Sequence, residues 1–368
     1  MIRYAEARVG RVVWESDDIQ ELTVDLAGGE LAVCYPSLTG RARPGDVVML
    51  NTTAVDLALG TGGRHFVVWI AGRQPLQPEL TGHIMKMRYA PMQVCTGAYE
   101  EDPTNRASID EFRGLAGMPV VVCELHSMIA PVFAGIAGRA AYIMTDGAAL
   151  PIAFSNTVRR LRREGLMCAS ITAGHAFGGD YEAVSVYSAL VAAPTVARCE
   201  AAVVAMGPGI VGTGAKYGFS GIEQGYIVDA VNRMGGRPIL VPRLSRRDPR
   251  PRHRPVSHHT ITVLEDVCCT PATCVIASDM DPAFSEEVRA ALADAVRGRG
   301  HSMESAPGRD AVDSLLARGV ELSTMGRGFE EEPEFFLTCA AAGVYARKLL
   351  DDADVERRGR EDLAAEGD

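Results

Sequence analysis

Residues 201–212 read Ala-Ala-Val-Val-Ala-Met-Gly-Pro-Gly-Ile-Val-Gly, an apolar run of six residues followed by closely spaced glycines. A short apolar run of this kind is typical of a strand that is buried on both faces, as in parallel sheets covered by helices. Helix-length segments precede and follow it, at residues 182–197 and 221–233. The stretch therefore predicts one strand of a parallel sheet with crossover helices on either side.

The same alternation extends over residues 118–350. Four more apolar runs alternate with helix-length stretches, at residues 120–125, 140–144, 167–171 and 238–241. They predict an α/β domain with a doubly wound, mostly parallel, Rossmann-like sheet. Further along, we expect a strand pair at 260–264 and 273–278, helices at 281–297 and 334–350, and a charged tail over 351–368 that frays.

Residues 1–75 have a different pattern, with five short alternating or β-branched runs separated by turn signals. They predict a small antiparallel all-β domain, either a barrel or a sandwich. Residues 76–117 form a connecting segment. The glycine-rich stretch 51–65, together with Gly82, His83, Lys86 and Arg88, is read either as a plain hairpin and connection or as a lid over a cleft.

The composition excludes several classes of protein. The chain has 368 residues, of which 47% are hydrophobic and 23% charged, so disorder is not expected. A net charge of −10 argues against nucleic acid or an anionic membrane surface as a partner, although a local basic patch can bind a small anion. Without a long apolar segment or a signal peptide, we expect a cytoplasmic protein without a membrane partner. The sequence leaves open whether the protein forms a homo-oligomer.

The nine cysteines occur mostly within apolar runs, as reduced core cysteines do. Cys34, Cys123, Cys168, Cys199 and Cys339 belong to this group. The sequence Cys268-Cys269-Thr-Pro-Ala-Thr-Cys274 does not have the two-by-two spacing of a zinc site, and we interpret it as structural.

Polar, glycine-rich or titratable residues follow all five predicted strands of the sheet. Ligands bind outside the carboxyl ends of parallel strands, so we expect these loops to share one cleft. In chain order the loops carry His126, then Asp146, then His175 and Asp180, then Gly207 to Lys216, and finally Arg243 and Arg247.

The sharpest motif is Gly207-x-Gly209-x-x-Gly212, which has the spacing of a dinucleotide fingerprint. Arg243 and Arg247 close the next strand, where an NADP enzyme places cations against the 2′-phosphate. The motif follows the fourth strand instead of the first, however, and further glycines delay the helix. Three interpretations stay open: a phosphate or nucleotide cradle, an NADP site, or a packed turn without ligand. The candidate binding residues are Gly207, Gly209, Gly212, Thr213, Gly214, Lys216, Arg243 and Arg247.

Histidines provide the second signal. His126 and His175, each with Asp146 or Asp180, are candidates for acid–base catalysis, since an imidazole beside a carboxylate can act as a general base. His253, His258 and His259 lie in a basic, proline-rich loop over residues 243–259. Their spacing matches no metal motif, so we assign no metal ligand.

Several of these stretches together resemble a known bacterial family, the domain of unknown function 3866. The resemblance rests on residues 51–66, 82–89, 117–127, 144–151, 171–180, 206–214 and 250–260. The family is uncharacterised, so the resemblance implies no reaction, cofactor or catalytic residue. The triple-cysteine stretch and the last hundred residues match the family pattern poorly.

From the sequence we expect an α/β enzyme that binds a phosphate-bearing small molecule, a nucleotide or dinucleotide, at the carboxyl ends of the strands. The cofactor is unknown, with NADP or another nucleotide as candidates. Two alternatives stay open: a nucleotide-sensing or scaffold protein that has the same pocket without turnover, and a metal-dependent hydrolase that uses the strand-end histidines.

Overall fold

The computed structural model describes residues 1–26, 30–59, 62–74, 76–80, 82–148 and 150–365, with side chains through residue 356. The chain divides into two compact units, Met1–Thr96 and Gly97–Asp368. The buried apolar residues also form two separate clusters. One extends from Ala7 to Ile70 and the other from Tyr99 to Leu350.

The first unit contains a closed five-stranded barrel. Its strands are β1 (Tyr4–Glu15), β2 (Gln20–Val24), β3 (Leu31–Cys34), β4 (Val47–Asn51) and β5 (Arg64–Ile70), in the order β1-β2-β3-β5-β4. Buried and partly exposed residues alternate along β2 and β4, as expected for strands with one face in a core. The predicted small β domain is thus confirmed, and it is a barrel. Its strand pairs are antiparallel except β3 with β5.

Shorter elements complete this unit. They are α1 (Pro36–Thr39), α2 (Thr53–Asp56) and the two-residue strands β6 (Met85–Lys86) and β7 (Val94–Cys95). Residues 60 and 61 of the glycine-rich stretch lie outside the described residues, and the lid over a cleft stays a prediction.

The second unit is built on an eight-stranded parallel sheet, which confirms the predicted doubly wound α/β fold. The strands are β8 (Pro119–Val122), β9 (Ala140–Thr145), β10 (Ala169–Ala173), β11 (Tyr181–Ala183), β12 (Ala201–Met206), β13 (Arg237–Leu240), β14 (Thr273–Ala277) and β15 (Ser302–Ala306). Their order is β11-β10-β9-β12-β8-β13-β14-β15. Every residue of β8, β9, β10 and β12 is buried, as the apolar runs predict for central strands.

Helices accompany this sheet. They are α3 (Arg106–Asp110), α4 (Ile129–Ile136), α5 (Asn156–Arg163), α6 (Val186–Thr195), α7 (Glu223–Arg233), α8 (His258–Thr262), α9 (Pro282–Gly298), α10 (Arg309–Ala317) and α11 (Pro333–Ala365). Side-chain caps mark where α5 and α9 begin, because Ser155 accepts a bond from the Val158 N–H and Asp281 from the Phe284 N–H. A two-stranded hairpin, β16 (Ser323–Thr324) and β17 (Arg327–Gly328), precedes α11.

The long helix α11 extends well past residue 350. Arg139 forms ion pairs of 2.8 Å with Asp351 and with Asp354, which attach this part of the helix to the start of β9. Among the helices of the described residues, none is both long and apolar enough to cross a bilayer.

The expected strand at residues 260–264 is wrong. Residues 258–262 form α8, which continues as a π-helical turn over Val263–Val267. Ser257 caps α8, since its hydroxyl accepts a bond from the His259 N–H. The β-branched residues of this stretch favour a strand by intrinsic preference, but the cap and the packing of the helix prevail.

The prediction that the cysteines within apolar runs are all reduced is also wrong for one pair. Cys168 and Cys199 form a disulfide, with their Cα atoms 6.2 Å apart. They precede β10 and β12 at the amino edge of the sheet. Cys34, Cys123 and Cys339 are free and buried, as expected.

Candidate functional site

The five strands whose following loops were predicted to meet are consecutive neighbours in the sheet, in the order β10-β9-β12-β8-β13. Because all five are parallel, their following loops lie at one edge. The chain runs from β8 outward through β9, β10 and β11, returns to β12 beside β8, and then continues on the other side with β13. The direction of strand addition therefore reverses between β12 and β8, and the carboxyl ends of two such strands are the usual position of a ligand crevice.

The glycine-rich loop after β12 is a hairpin. The Thr213 N–H donates to Gly218 O at 2.8 Å and the Ser220 N–H to Val211 O at 2.9 Å, with an antiparallel bridge between Gly212 and Phe219. A dinucleotide turn leads directly into a helix, whereas here α7 begins only at Glu223. In this arrangement Gly212 lies in a non-hydrogen-bonded pair, so its own N–H points away from the hairpin.

A protein carboxylate lies in the first turn of α7. Glu223 is 4% exposed and accepts a bond of 2.6 Å from the Thr145 hydroxyl. Burial raises its pKa to about 7, and the neighbouring charge of Asp146 acts in the same direction. Glu223 thus places an acidic side chain in the first turn of α7, whereas dinucleotide sites place a bound phosphate at a helix N-terminus.

One pocket lies between the hairpin and the loops after β13, with a volume of about 170 Å³. Three of the predicted binding residues line it: Gly212, Gly214 and Arg243. The other lining residues are Ile210, Val211, Arg250, Arg252, His253, His259 and Met325. Among the described residues that line this pocket, none has a carboxylate, so its wall carries positive charge.

Two of the three arginines are fixed by carboxylates behind the pocket wall. Arg243 is 5% exposed and contacts Glu124 at 3.0 Å. Arg250 contacts Asp248 through two side-chain hydrogen bonds of 2.8 and 2.9 Å, which hold the pKa of Asp248 well below its usual range. Arg252 is exposed and lies beside the hairpin, where a Cβ added at Gly214 would be 3.5 Å from its guanidinium.

Three histidines form a cluster at the same wall. One ring nitrogen of each of His253, His258 and His259 lies within 4.8 Å of the other two. The His259 ring stacks on Phe219 with a centroid distance of 3.8 Å, which fixes its plane. Burial and nearby cations lower the pKa of His253 to about 3 and also lower that of His258, so these rings are neutral at pH 7.

Glu124 connects the cluster to the arginines. Its Oε1 contacts His259 Nδ1 at 2.6 Å and Arg243 Nη1 at 3.0 Å, and the carboxyl group is fully buried. Burial opposes ionisation of Glu124, but its contacts with His259 and Arg243 outweigh that effect and lower its pKa. A carboxylate that accepts from Nδ1–H leaves Nε2 of His259 with its lone pair free.

The structure places the other catalytic candidates apart from this pocket. His126 Nε2 contacts the Ser155 hydroxyl at 2.6 Å, and burial lowers the pKa of His126 to about 4. Asp146 and His175 are brought together, but through the His175 backbone N–H, which donates to Asp146 at 2.9 Å. Asp180 lies at the opposite, amino edge of the sheet, where it accepts from the Ser170 N–H and pairs with Arg162.

The remaining binding candidates have other contacts. Lys216 forms an ion pair of 2.7 Å with Asp266, and Thr213 bonds within the hairpin. Arg247 is exposed on the loop after β13. Gly207 and Gly209 do not line the pocket; a Cβ at Gly209 would meet Ala148.

Sequence reasoning named the three clustered histidines but assigned them no shared site, and it gave no role to Glu223. The histidine pattern His253-x4-His258-His259 was the available signal. The structure explains why this pattern forms a cluster. Ser257 caps α8, which carries His258 and His259, and also contacts His253 Nδ1 at 2.8 Å.

The fold and the pocket define a doubly wound α/β protein with an arginine- and histidine-lined pocket at the carboxyl edge of its sheet. The chain belongs to the family described as protein of unknown function (DUF3866), which matches residues 31–343. The predicted resemblance is thereby confirmed. The expectation that the triple-cysteine stretch and the last hundred residues match poorly is wrong up to residue 343, because the family match includes them. No curated protein matches the chain.

Proposed function

We propose that this protein is an enzyme that binds a phosphate-bearing small molecule in the pocket between the glycine hairpin and the loop after β13. One observation supports this proposal above all. Three arginines, two histidines and glycine backbone surround the same 170 Å³ volume, and none of the described lining residues is acidic. In a chain with a net charge of −10, such a wall favours an anionic ligand locally.

The arginines suit phosphate because a guanidinium group donates two parallel hydrogen bonds to an oxyanion. The carboxylates of Glu124 and Asp248 hold Arg243 and Arg250 in place, so little side-chain entropy is lost on binding. Arg252 is exposed, and within the described part of the chain no carboxylate pairs with it. It is the arginine most available to the ligand.

The pocket volume supports a phosphate group with the rest of the molecule outside. Typical small-molecule sites have about 300–1,000 Å³, so 170 Å³ suits one phosphate group better than a dinucleotide. The NADP interpretation also loses support, because Arg243 is buried against Glu124 and Glu223 lies at the start of α7.

The binding test is calorimetric titration with inorganic phosphate, mononucleotides and sugar phosphates. Loss of one charge-assisted contact costs about 1.5–3 kcal/mol, so Arg252→Ala is expected to weaken binding about 10- to 150-fold. Arg163→Ala is the matched control, because Arg163 is an exposed arginine at the end of α5. Equal affinity in folded Arg252→Ala and wild type would contradict the proposal.

Turnover is tested separately, by phosphate release and product chromatography with each ligand that binds. The histidines on the pocket wall are expected to contribute to turnover, either as acid–base groups or as ligands of a catalytic ion. Binding without any turnover would leave the sensing or scaffold alternative and remove the enzymatic part of the proposal.

A further inference from the structure

We propose that His253, His258 and His259 bind one Zn²⁺ ion at the wall of the pocket. This inference deepens the proposed function, since the ion would lie beside the bound anion, but it is measured independently of any substrate. It begins from geometry: three imidazole nitrogens lie within 4.8 Å of one another, and the described part of the chain contains no other such group of three His, Cys, Asp or Glu.

Each of the three rings has a nitrogen that is not used in a hydrogen bond to the described residues and could bind a metal ion. His253 and His259 each use Nδ1 for a protein contact, with the Ser257 hydroxyl and with Glu124, which leaves their Nε2 atoms available. His258 Nε2 is buried and has no hydrogen-bond partner among the described residues. A buried imidazole nitrogen without a partner is costly, and coordination of a metal ion would remove that cost.

The surroundings of the cluster are those of a metal site. Metal-binding histidines usually donate their other N–H to a carboxylate, a hydroxyl or a carbonyl, which fixes the ring and raises its basicity. Glu124 does so for His259, and the Phe219 ring holds the same imidazole from one face. Arg243 in turn fixes Glu124, so the chain Arg243–Glu124–His259 orients one ligand.

Two carboxylates offset part of the positive charge around the cluster. Glu124 contacts Arg243 and Asp248 contacts Arg250, so two carboxylates balance two of the arginines behind the cluster. Three imidazoles suit zinc and leave a fourth coordination position open. That position is available to an oxygen of the anion that the arginines bind.

Closing the site requires small movements. Bonds of about 2.0–2.1 Å to a tetrahedral ion place ligand nitrogens about 3.4 Å apart. The 4.8 Å limit of the cluster is larger, and we expect rotation of the His258 ring, whose Nε2 has no hydrogen-bond partner among the described residues, to supply the difference. The backbone at these positions is already fixed by the Ser257 cap of α8.

The experiment uses full-length protein without a histidine tag. Its metal content is measured by plasma mass spectrometry, and Zn²⁺ and Co²⁺ are titrated into chelator-treated protein. We expect uptake of about one equivalent of zinc, and a Co²⁺ visible spectrum of the intensity that four-coordinate sites give. Uptake below about a tenth of an equivalent in both preparations would overturn the inference.

Variants locate the ion. His258→Ala is expected to abolish stoichiometric uptake, whereas His83→Ala, which removes an exposed histidine of the first unit, is expected to retain it. Glu124→Gln keeps the three histidines and is expected to weaken binding about 10- to 100-fold. Full uptake by a His258→Ala protein with a native circular dichroism spectrum rejects the site.

A second measurement covers the case in which His258→Ala does not fold. X-ray absorption of the Co²⁺-loaded wild-type protein is expected to show imidazole scattering from three ligands, and a spectrum without it rejects the site. Zinc uptake without phosphate binding would leave the metal site standing and the proposed function refuted. Phosphate binding without zinc uptake would do the reverse.

Discussion

Two buried glutamates at the carboxyl edge show how differently the same side chain behaves in two environments. Glu124 contacts Arg243 and His259, which lower its pKa despite complete burial. Burial and the nearby charge of Asp146 raise the pKa of Glu223 to about 7, although the Thr145 and Tyr226 hydroxyls donate hydrogen bonds to its carboxylate. Near neutral pH, Glu124 is thus ionised while Glu223 is partly protonated.

The raised pKa of Glu223 predicts a pH-dependent stability. A carboxyl group whose pKa rises from 4.5 to about 7 on folding stabilises the protein fully below pH 4.5, and the contribution disappears as pH rises through 7. The difference is about 3 kcal/mol. Urea unfolding between pH 5 and 8 is therefore expected to show a steeper fall for wild type than for Glu223→Gln.

Glu286→Gln is the matched control for that comparison, because Glu286 is exposed on α9. Its pH profile is expected to follow wild type. Parallel profiles of wild type and Glu223→Gln would show that Glu223 is not the titrating group.

The residues of the pocket were only partly predictable. Arg243, Gly212 and Gly214 were found because each follows a strand end, and strand ends follow from apolar runs. Asp180 also follows a strand, but its carboxylate returns to Ser170 at the other edge. A residue that follows a strand therefore lies at the carboxyl edge only if its loop does not run back to the amino edge of the sheet.

At the scale of elements, backbone hydrogen bonds determine the conformation of the glycine-rich loop, which the spacing of its glycines does not. The sequence Gly207-x-Gly209-x-x-Gly212 is compatible with a phosphate turn, but the bonds between residues 211–213 and 218–220 make the segment a hairpin. Glycines permit several backbone paths, and the extra glycines at 214 and 218 favour a return of the chain. In the sequence, the late start of the helix after these glycines already indicated that the loop is not a dinucleotide turn.

The packing of α4 against α11 gives a second prediction. A Cβ added at Gly343 would lie well inside contact distance of the Val132 carbonyl oxygen, so the two helix backbones meet there. Gly343→Ala is expected to lower the free energy of unfolding by about 1–3 kcal/mol, although alanine favours helix formation.

The matched control is Gly298→Ala at the end of α9, where a Cβ meets nothing within 4 Å. Its unfolding free energy is expected to stay within about 1 kcal/mol of wild type. Urea denaturation of both variants gives the comparison. A Gly343→Ala protein as stable as Gly298→Ala would show that the helices can separate without cost.

At the scale of the whole molecule, each unit has its own core. One cluster of buried residues ends at Ile70 and the other begins at Tyr99, with none of the described core residues shared. Residues 97–368 alone are therefore expected to unfold in one cooperative thermal transition followed by circular dichroism. A gradual melt without a cooperative transition would show that the second unit depends on the first.

The hairpin over residues 211–220 has its own hydrogen bonds, and it also contacts the rest of the unit through the Lys216–Asp266 ion pair and through Phe219, which stacks on His259. The tip of the hairpin is therefore the part of this segment whose length can vary. Lengthening or shortening the tip around Ala215 is expected to alter one wall of the pocket, while Phe219 at the base of the hairpin keeps its contact with His259. Under the proposed function, differences between family members in the size of the molecule bound are expected to map to this one short segment.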